Sequence, residues 1–313
     1  MGKIVAGLAS SHAFTMMDPS QWEEFRAKNR ALYERIYGNA PPVHAGVEKE
    51  SIEENRLRFA HINEGLDRLR ENLKAAKPDV LIVIGDDQNE NYLSNNLPQM
   101  AIYLGEKFVA VDRFKKERRT FRNDVAFAEE LFVGCVEAGF DMSSSRSFAN
   151  DELISHAHAP PLGVLLPEAD IPVVLLFVNA IHVPAVNPDR CFQLGQTLAR
   201  IIASGPARRV AIYASGGLSH FTAGYPWKHY KGAEIYGGIC EEFDRNALRM
   251  MSEGRGAELA KLSSADLLLH GDVEMRSWIT LLGCVGETKA EVLAYEPFYR
   301  AIMGMGVGYW KLD

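Results

Sequence analysis

Cysteine is scarce in this 313-residue chain: Cys135, Cys191, Cys240 and Cys284 stand far apart, and no C-x-x-C pair occurs. That excludes a disulfide scaffold and favours a reducing compartment. Long hydrophobic runs are missing too. The most apolar stretch, 171–178, is too short to span a bilayer. The first residues, Met1 to Ala6, run into a strand-like segment with no secretory apolar core. Ala6 stands where a myristoylated N-terminus requires Ser or Thr. Basic excess is absent, the net charge being −7, so nothing argues for nucleic acid. These absences predict a cytoplasmic protein with neither membrane nor nucleic acid as a partner. The sequence also has no G-x-S-x-G elbow, no H-E-x-x-H, no phosphate-binding loop and no G-x-G-x-x-G after a strand.

What remains is an ordinary globular composition, 47% hydrophobic and 24% charged, in which short β-branched runs alternate with helical patterns. Strands are predicted at 4–8, 79–85, 171–178, 208–214 and 289–296. Helices are predicted at 21–37, 51–76, 123–139, 188–204, 233–252 and 272–284. Ser51-x-x-Glu54 is a capping box for the second helix, and Lys77-Pro78 stops it. The run Val80–Gly85 is apolar on both faces, as buried parallel strands are. The Met303-Gly304-Met305-Gly306-Val307-Gly308 segment reads as a flexible or closely packed turn in an irregular tail. With no repeat, linker or low-complexity tract, the pattern predicts one α/β domain over 1–313. Its mostly parallel central sheet would be covered by helices.

In such sheets reactive groups collect beyond the carboxyl ends of the strands. Polar clusters follow four predicted strands: Ser10-Ser11-His12, Asp86-Asp87-Gln88-Asn89-Glu90, Asn179-Ala180-Ile181-His182 and Ser215 to His220. Nine histidines occur, and five of them (His12, His156, His158, His182 and His220) read as loop residues. A lone loop histidine is usually a solvated side chain, but several after successive strands point to a shared site. Imidazole suits Fe, Zn, Cu and Ni, and two histidines with one carboxylate form the usual open iron(II) site for oxygen chemistry.

The order and wording of these loops resemble the class III extradiol ring-cleavage dioxygenases, in particular the β subunit of protocatechuate 4,5-dioxygenase and its methylgallate-cleaving relatives. Ala9-Ser10-Ser11-His12 matches the family's first strand end and implies His12 as an iron ligand. Ser155-His156-Ala157-His158-Ala159-Pro160-Pro161-Leu162 is similar to its Asp-His-Gly-x-x-x-Pro-Leu segment and implies that His156 faces the substrate. Gly216-Gly217-Leu218-Ser219-His220 matches the motif of the acid–base histidine, and Asp272-Val273-Glu274-Met275 implies Glu274 as the carboxylate ligand. His182 and Asp87 are implied at the substrate. The matches run from residue 9 to about 285.

One departure matters. Where the family has Asn-Asp-His after the second strand, this chain has Asp86-Asp87-Gln88. Gln88, Asp87 and His61 therefore all stand as the third protein ligand. Tyr225, Trp227 and Tyr230 follow His220 as potential pocket walls. The resemblance implies Fe(II), a small aromatic substrate and O2. A homo-oligomer is expected, with a separate small accessory subunit as an option. A scaffold that has lost its iron through Gln88 and a zinc-dependent hydrolase are the alternatives from other classes.

Overall fold

The computed structural model describes residues 1–12, 16–112, 117–150, 153–222 and 236–312. Its strands are β1 (Lys3–Ser10), β2 (Val80–Gly85), β3 (Met100–Tyr103), β4 (Lys107–Asp112), β5 (Glu117–Arg122), β6 (Ser143–Ser145), β7 (Val173–Val178), β8 (Arg209–Ser215), β9 (Glu291–Phe298) and β10 (Met303–Lys311). Eight of them form one sheet in the order β6-β3-β7-β2-β8-β1-β10-β9, while β4 and β5 pair separately. The centre, β7-β2-β8-β1, is parallel throughout. β3 joins β7 antiparallel, and β10 joins β1 antiparallel. The expected α/β architecture with a mostly parallel central sheet is present.

The side-chain alternation of the central strands explains the continuous apolar runs. In β2, Val80, Ile82 and Ile84 enter one hydrophobic core, and Leu81 and Val83 the other. In β7, Val174, Leu176 and Val178 face the first core, and Val173, Leu175 and Phe177 the second. Successive side chains of a strand point to opposite faces, so a strand covered on both sides must be apolar at every position. The helix Ile52–Ala76 covers one face, capped by Ser51 accepting the Glu54 N–H at 3.0 Å. The helices Val125–Glu137, Pro188–Ser204, Glu241–Ser252 and Met275–Val285 cover the other.

Three expectations need correction. The glycine-rich tail is strand β10, buried along all but its last residue. Alternate glycines put no side chain on one face, where a Cβ at Gly306 would come within 2.7 Å of Leu218 and one at Gly304 would collide with the Asp244 carboxylate. The loop leading to His220 rests on that bare face. The segment 100–122 carries β3, β4 and β5, which short and partly polar runs concealed from the sequence pattern. The predicted helix 233–252 appears as Glu241–Ser252, with turns at Tyr236 and Gly237; residues 233–235 lie outside those described, as do Tyr225, Trp227 and Tyr230.

Candidate metal centre

The carboxyl ends of β1, β2 and β8 lie side by side, so the loops that follow them meet. His12 stands two residues beyond β1 and is 1% exposed. Its Nδ1 lies 3.1 Å from the Ser215 hydroxyl, which donates its own proton to the Ala157 carbonyl. Ser215 must then accept from His12 Nδ1–H, and the lone pair falls on Nε2, 3.7 Å from Glu274 Oε2. Burial lowers the His12 pKa to about 4 despite the Glu274 charge nearby. The ring is therefore neutral, the form that binds metals.

Glu274 reaches the same point from the opposite side. It precedes the helix Met275–Val285, all eleven residues of which are buried. That helix packs against Pro188–Ser204 through glycines: a Cβ on Gly195 would strike the Thr280 carbonyl, and one on Gly283 the Phe192 carbonyl. Gly216 is needed next to Glu274, because a Cβ there would sit 2.9 Å from the Glu274 Cβ at a φ of +137°. The Gly217 N–H donates to Glu274 Oε2 at 3.0 Å. Burial would raise the Glu274 carboxyl, but the His12 and His220 imidazoles outweigh it and hold the group below the usual carboxylate range.

The third member is Asp86, the first residue past β2. It is fully buried, and its Oδ1 has no hydrogen-bond partner among the described residues. Burial and the Glu274 charge push its carboxyl well above the ordinary value. Ligand atoms of His12, Asp86 and Glu274 all lie within 4.8 Å of one another. Two carboxylates at this spacing cannot both ionise out of water without a cation between them. A divalent ion cancels both charges, gives the orphaned Oδ1 a partner and meets a nitrogen–oxygen donor set suited to first-row metals. The residues fit a metal.

Gln88 and the other ligands considered from sequence are placed differently. The Gln88 amide nitrogen donates to Glu274 Oε1 at 3.2 Å and faces Asp86 Oδ2 at 3.5 Å, so this side chain bridges the two carboxylates as a donor. Asp87 accepts from the backbone N–H groups of Glu90, Asn91 and Tyr92 at 2.8–3.1 Å and caps its own loop. His61 lies half exposed on the helix Ile52–Ala76, with Nδ1 2.9 Å from Glu296 Oε1. Neither Asp87 nor His61 joins the cluster. Asp86 was the missed residue. Its signal in the sequence was its place immediately after the strand, where the side chain leaves the sheet edge.

His220 is buried with Nε2 3.7 Å from Glu274 Oε1, while its Nδ1 pairs with the Leu218 carbonyl at 2.8 Å. Burial would lower its pKa, but the Glu274 charge and hydrogen bond raise it to about 9. The loop is held from below: Asp244 accepts from the Ser219 N–H at 3.0 Å and from its hydroxyl at 2.8 Å. His156 lies edge-on to His12, with ring centroids 5.1 Å apart. His158 does not share the site, since its ring is locked between Ser155 Oγ and the Leu176 carbonyl. The His182 backbone is clasped by Asn179, and its Nε2 is buried with no hydrogen-bond partner among the described residues. Its neighbours Ala180 and Ile181 pack on Phe221 and Val273, which flank His220 and Glu274 in sequence.

These features define an α/β protein with a buried, metal-ready cluster and an adjacent buried histidine at the carboxyl edge of its sheet. A family model described as the catalytic LigB subunit of aromatic ring-opening dioxygenase matches residues 42–309, and the chain belongs to that family, the class III extradiol dioxygenases. It is similar to 2,3-dihydroxyphenylpropionate/2,3-dihydroxicinnamic acid 1,2-dioxygenase of Escherichia coli strain K12 and of strain O157:H7 EC4115. Each is 26% identical over 160 residues, 51% of this chain and 49% of the relative. The match thus spans about half the length of these curated relatives. The crystal structure of an uncharacterized protein from Escherichia coli K12 aligns over 98% of this chain and 99% of its own, with a TM-score of 0.51 and 12% identity, which shows the fold alone. Among the described residues no helix is long and apolar enough to cross a membrane.

Proposed function

We propose that this chain is a single-domain iron(II)-dependent extradiol dioxygenase that opens the ring of a catechol-type aromatic with O2. The observation that carries the reading is the buried trio His12, Asp86 and Glu274 with His220 against it. In this reading His12 Nε2 and the two carboxylates hold the metal, one imidazole with two carboxylates in place of the usual reverse. Bound there, iron(II) would coordinate an aromatic diol and carry electrons between the ring and oxygen.

The protein's own groups do the rest. Ser215 fixes the His12 tautomer that presents Nε2. Gln88 holds the two carboxylates together through its amide hydrogens. His220 is the acid–base group. Its high pKa rests on the Glu274 charge. With that charge shared by a cation, the ring moves towards the range where it takes a substrate hydroxyl proton and later returns one at neutral pH. His156 faces the substrate from the His12 side, and His182 contributes from the loop after β7.

Anaerobic loading of the purified protein with Fe(II), Zn(II) or Mn(II), followed by oxygen uptake on protocatechuate, gallate and 2,3-dihydroxyphenylpropionate, tests the reading. Stoichiometric uptake with Fe(II) and a new ring-fission chromophore are expected. Iron that binds without uptake on any catechol would favour a non-catalytic scaffold, and activity confined to the Zn(II) form on ester or amide substrates would favour a hydrolase.

A further inference from the structure

The loop after β2 and the segment before the short helix Ala159–Leu165 are joined by a set of polar contacts that a metal site alone does not require. Asp87 ties down the N–H groups of residues 90–92. Asn91 then bonds the other segment twice, donating to the Leu153 carbonyl at 2.6 Å and accepting the Ser155 N–H at 2.8 Å. Asn150 donates to the Glu90 carbonyl at 3.0 Å, and Ser155 Oγ to the Asp86 carbonyl at 3.2 Å. At the centre of this joint, one oxygen of Glu90, Oε2, accepts two hydrogen bonds from His156. They come from its backbone N–H at 2.9 Å and its ring Nδ1–H at 2.7 Å.

We propose that Glu90 is a positioning residue for His156, gripping backbone and ring together so that Nε2 is presented to a catechol oxygen held at the His12–Asp86–Glu274 cluster. This rests on the ring-cleavage reading above and extends it to a residue that touches neither metal nor substrate. The reasoning is geometric. A histidine bonded only through its ring can swing about χ1. One whose N–H and Nδ1–H share a single carboxylate oxygen has both rotations fixed, and the tautomer with them. The fixed ring stands edge-on to His12 at 5.1 Å, alongside any ligand on that histidine's metal. Glu90 is partly exposed, 18% at the side chain, so its removal leaves no sealed cavity and the fold should tolerate it.

The experiment uses Glu90→Ala, Glu90→Gln, His156→Ala and the Glu90→Ala/His156→Ala double variant. The first readout is the anaerobic dissociation constant of the Fe(II)-loaded protein for 4-nitrocatechol, followed by its colour change. Glu90→Ala should weaken it about tenfold, corresponding to ~1.4 kcal/mol. Glu90→Gln, whose carbonyl oxygen still accepts both bonds, should recover most of that. In the His156→Ala background Glu90→Ala should add nothing, and Fe(II) affinity should stay within about twofold in every variant. Additive losses in the double variant would overturn the proposal, as would a parallel loss of Fe(II). The second readout needs no catechol: the ring-nitrogen NMR spectrum of the Zn(II)-loaded protein should show a protonated His156 Nδ1 in wild type and Glu90→Gln, and lose it in Glu90→Ala. An unchanged spectrum in Glu90→Ala also overturns the proposal. Failure of the wild type to bind 4-nitrocatechol defeats the ring-cleavage reading instead, and the nitrogen spectrum then decides the pairing.

Discussion

Asp86→Asn separates the ligand set read from the structure from the one suggested by sequence, because its two expected effects have opposite signs. In the metal-free protein Asp86 is buried beside Glu274, and burial together with the Glu274 charge disfavours ionisation of Asp86. An amide at position 86 is nearly isosteric and uncharged, so the metal-free protein should gain stability. With metal present the same change removes one anionic ligand from a buried cation. Breaking a buried pair in this way costs ~3–5 kcal/mol, or about two to three and a half decades in affinity at ~1.4 kcal/mol each. Thermal melts make the contrast visible. At a free metal concentration 100 times the wild-type dissociation constant, wild type gains ~2.7 kcal/mol from ligation, about 5 °C at ~2 °C per kcal/mol for a chain of this size. A variant bound 100 times more weakly gains only ~0.4 kcal/mol, under about 1 °C. Calorimetric titration with Mn(II) or Fe(II) gives the constants directly. Gln88→Ala, measured beside it, should weaken metal by only about tenfold, as loss of an outer hydrogen bond does. If Asp86→Asn kept wild-type affinity while Gln88→Ala lost it by orders of magnitude, Gln88 would be the ligand and the placement of Asp86 would have misled us.

Two further expectations follow from the same geometry. His220→Phe should retain metal and bind catechol, yet turn over ~10²–10⁴ times more slowly, the range for lost acid–base help; near-normal oxygen uptake would place the proton chemistry elsewhere. The metal-free protein should lose stability as pH rises from about 6.5 towards 9, because His220 and His156 are both raised from 6.5 to about 9 by neighbouring carboxylates that outweigh burial. Their contribution is complete below the unfolded imidazole value of ~6.5 and disappears once both rings have lost their protons. Asp244, raised to about 6 by burial, adds an earlier decline between about pH 4 and 6. Melting temperatures in chelator across this range, with His220→Asn alongside, provide the check; a flat profile above pH 6.5 would contradict the assigned ion pairs.

The sequence by itself determined the architecture and most of the cast. Continuous apolar runs at 80–84 and 173–178 demand burial on both faces, and alternation with amphipathic helices leaves little besides a covered parallel sheet. The residues that follow such strands must emerge at one edge, so the loops carrying His12, Asp86 and His220 were legible as neighbours, although within its loop Asp86 was passed over for Gln88 and Asp87. Glycine spacing was legible only in part. Gly216-Gly217 stood out only as part of the motif ending in His220, its close approach to Glu274 appearing in the fold, whereas the alternating glycines of 304–308 imitate a flexible tail, since nothing local says that a neighbouring strand and the His220 loop will press against them. What tertiary structure alone decided was the division of labour among Asp86, Asp87, Gln88 and His61. Consecutive residues of an irregular loop have no fixed periodicity, so their side-chain directions depend on partners far away in the chain. The backbone N–H groups of residues 90–92 claim Asp87, Glu296 claims His61, and Glu274 draws the Gln88 amide. Asp86 is left buried against Glu274, two like charges brought together by segments 188 residues apart, and only the folded chain creates the need for a cation there.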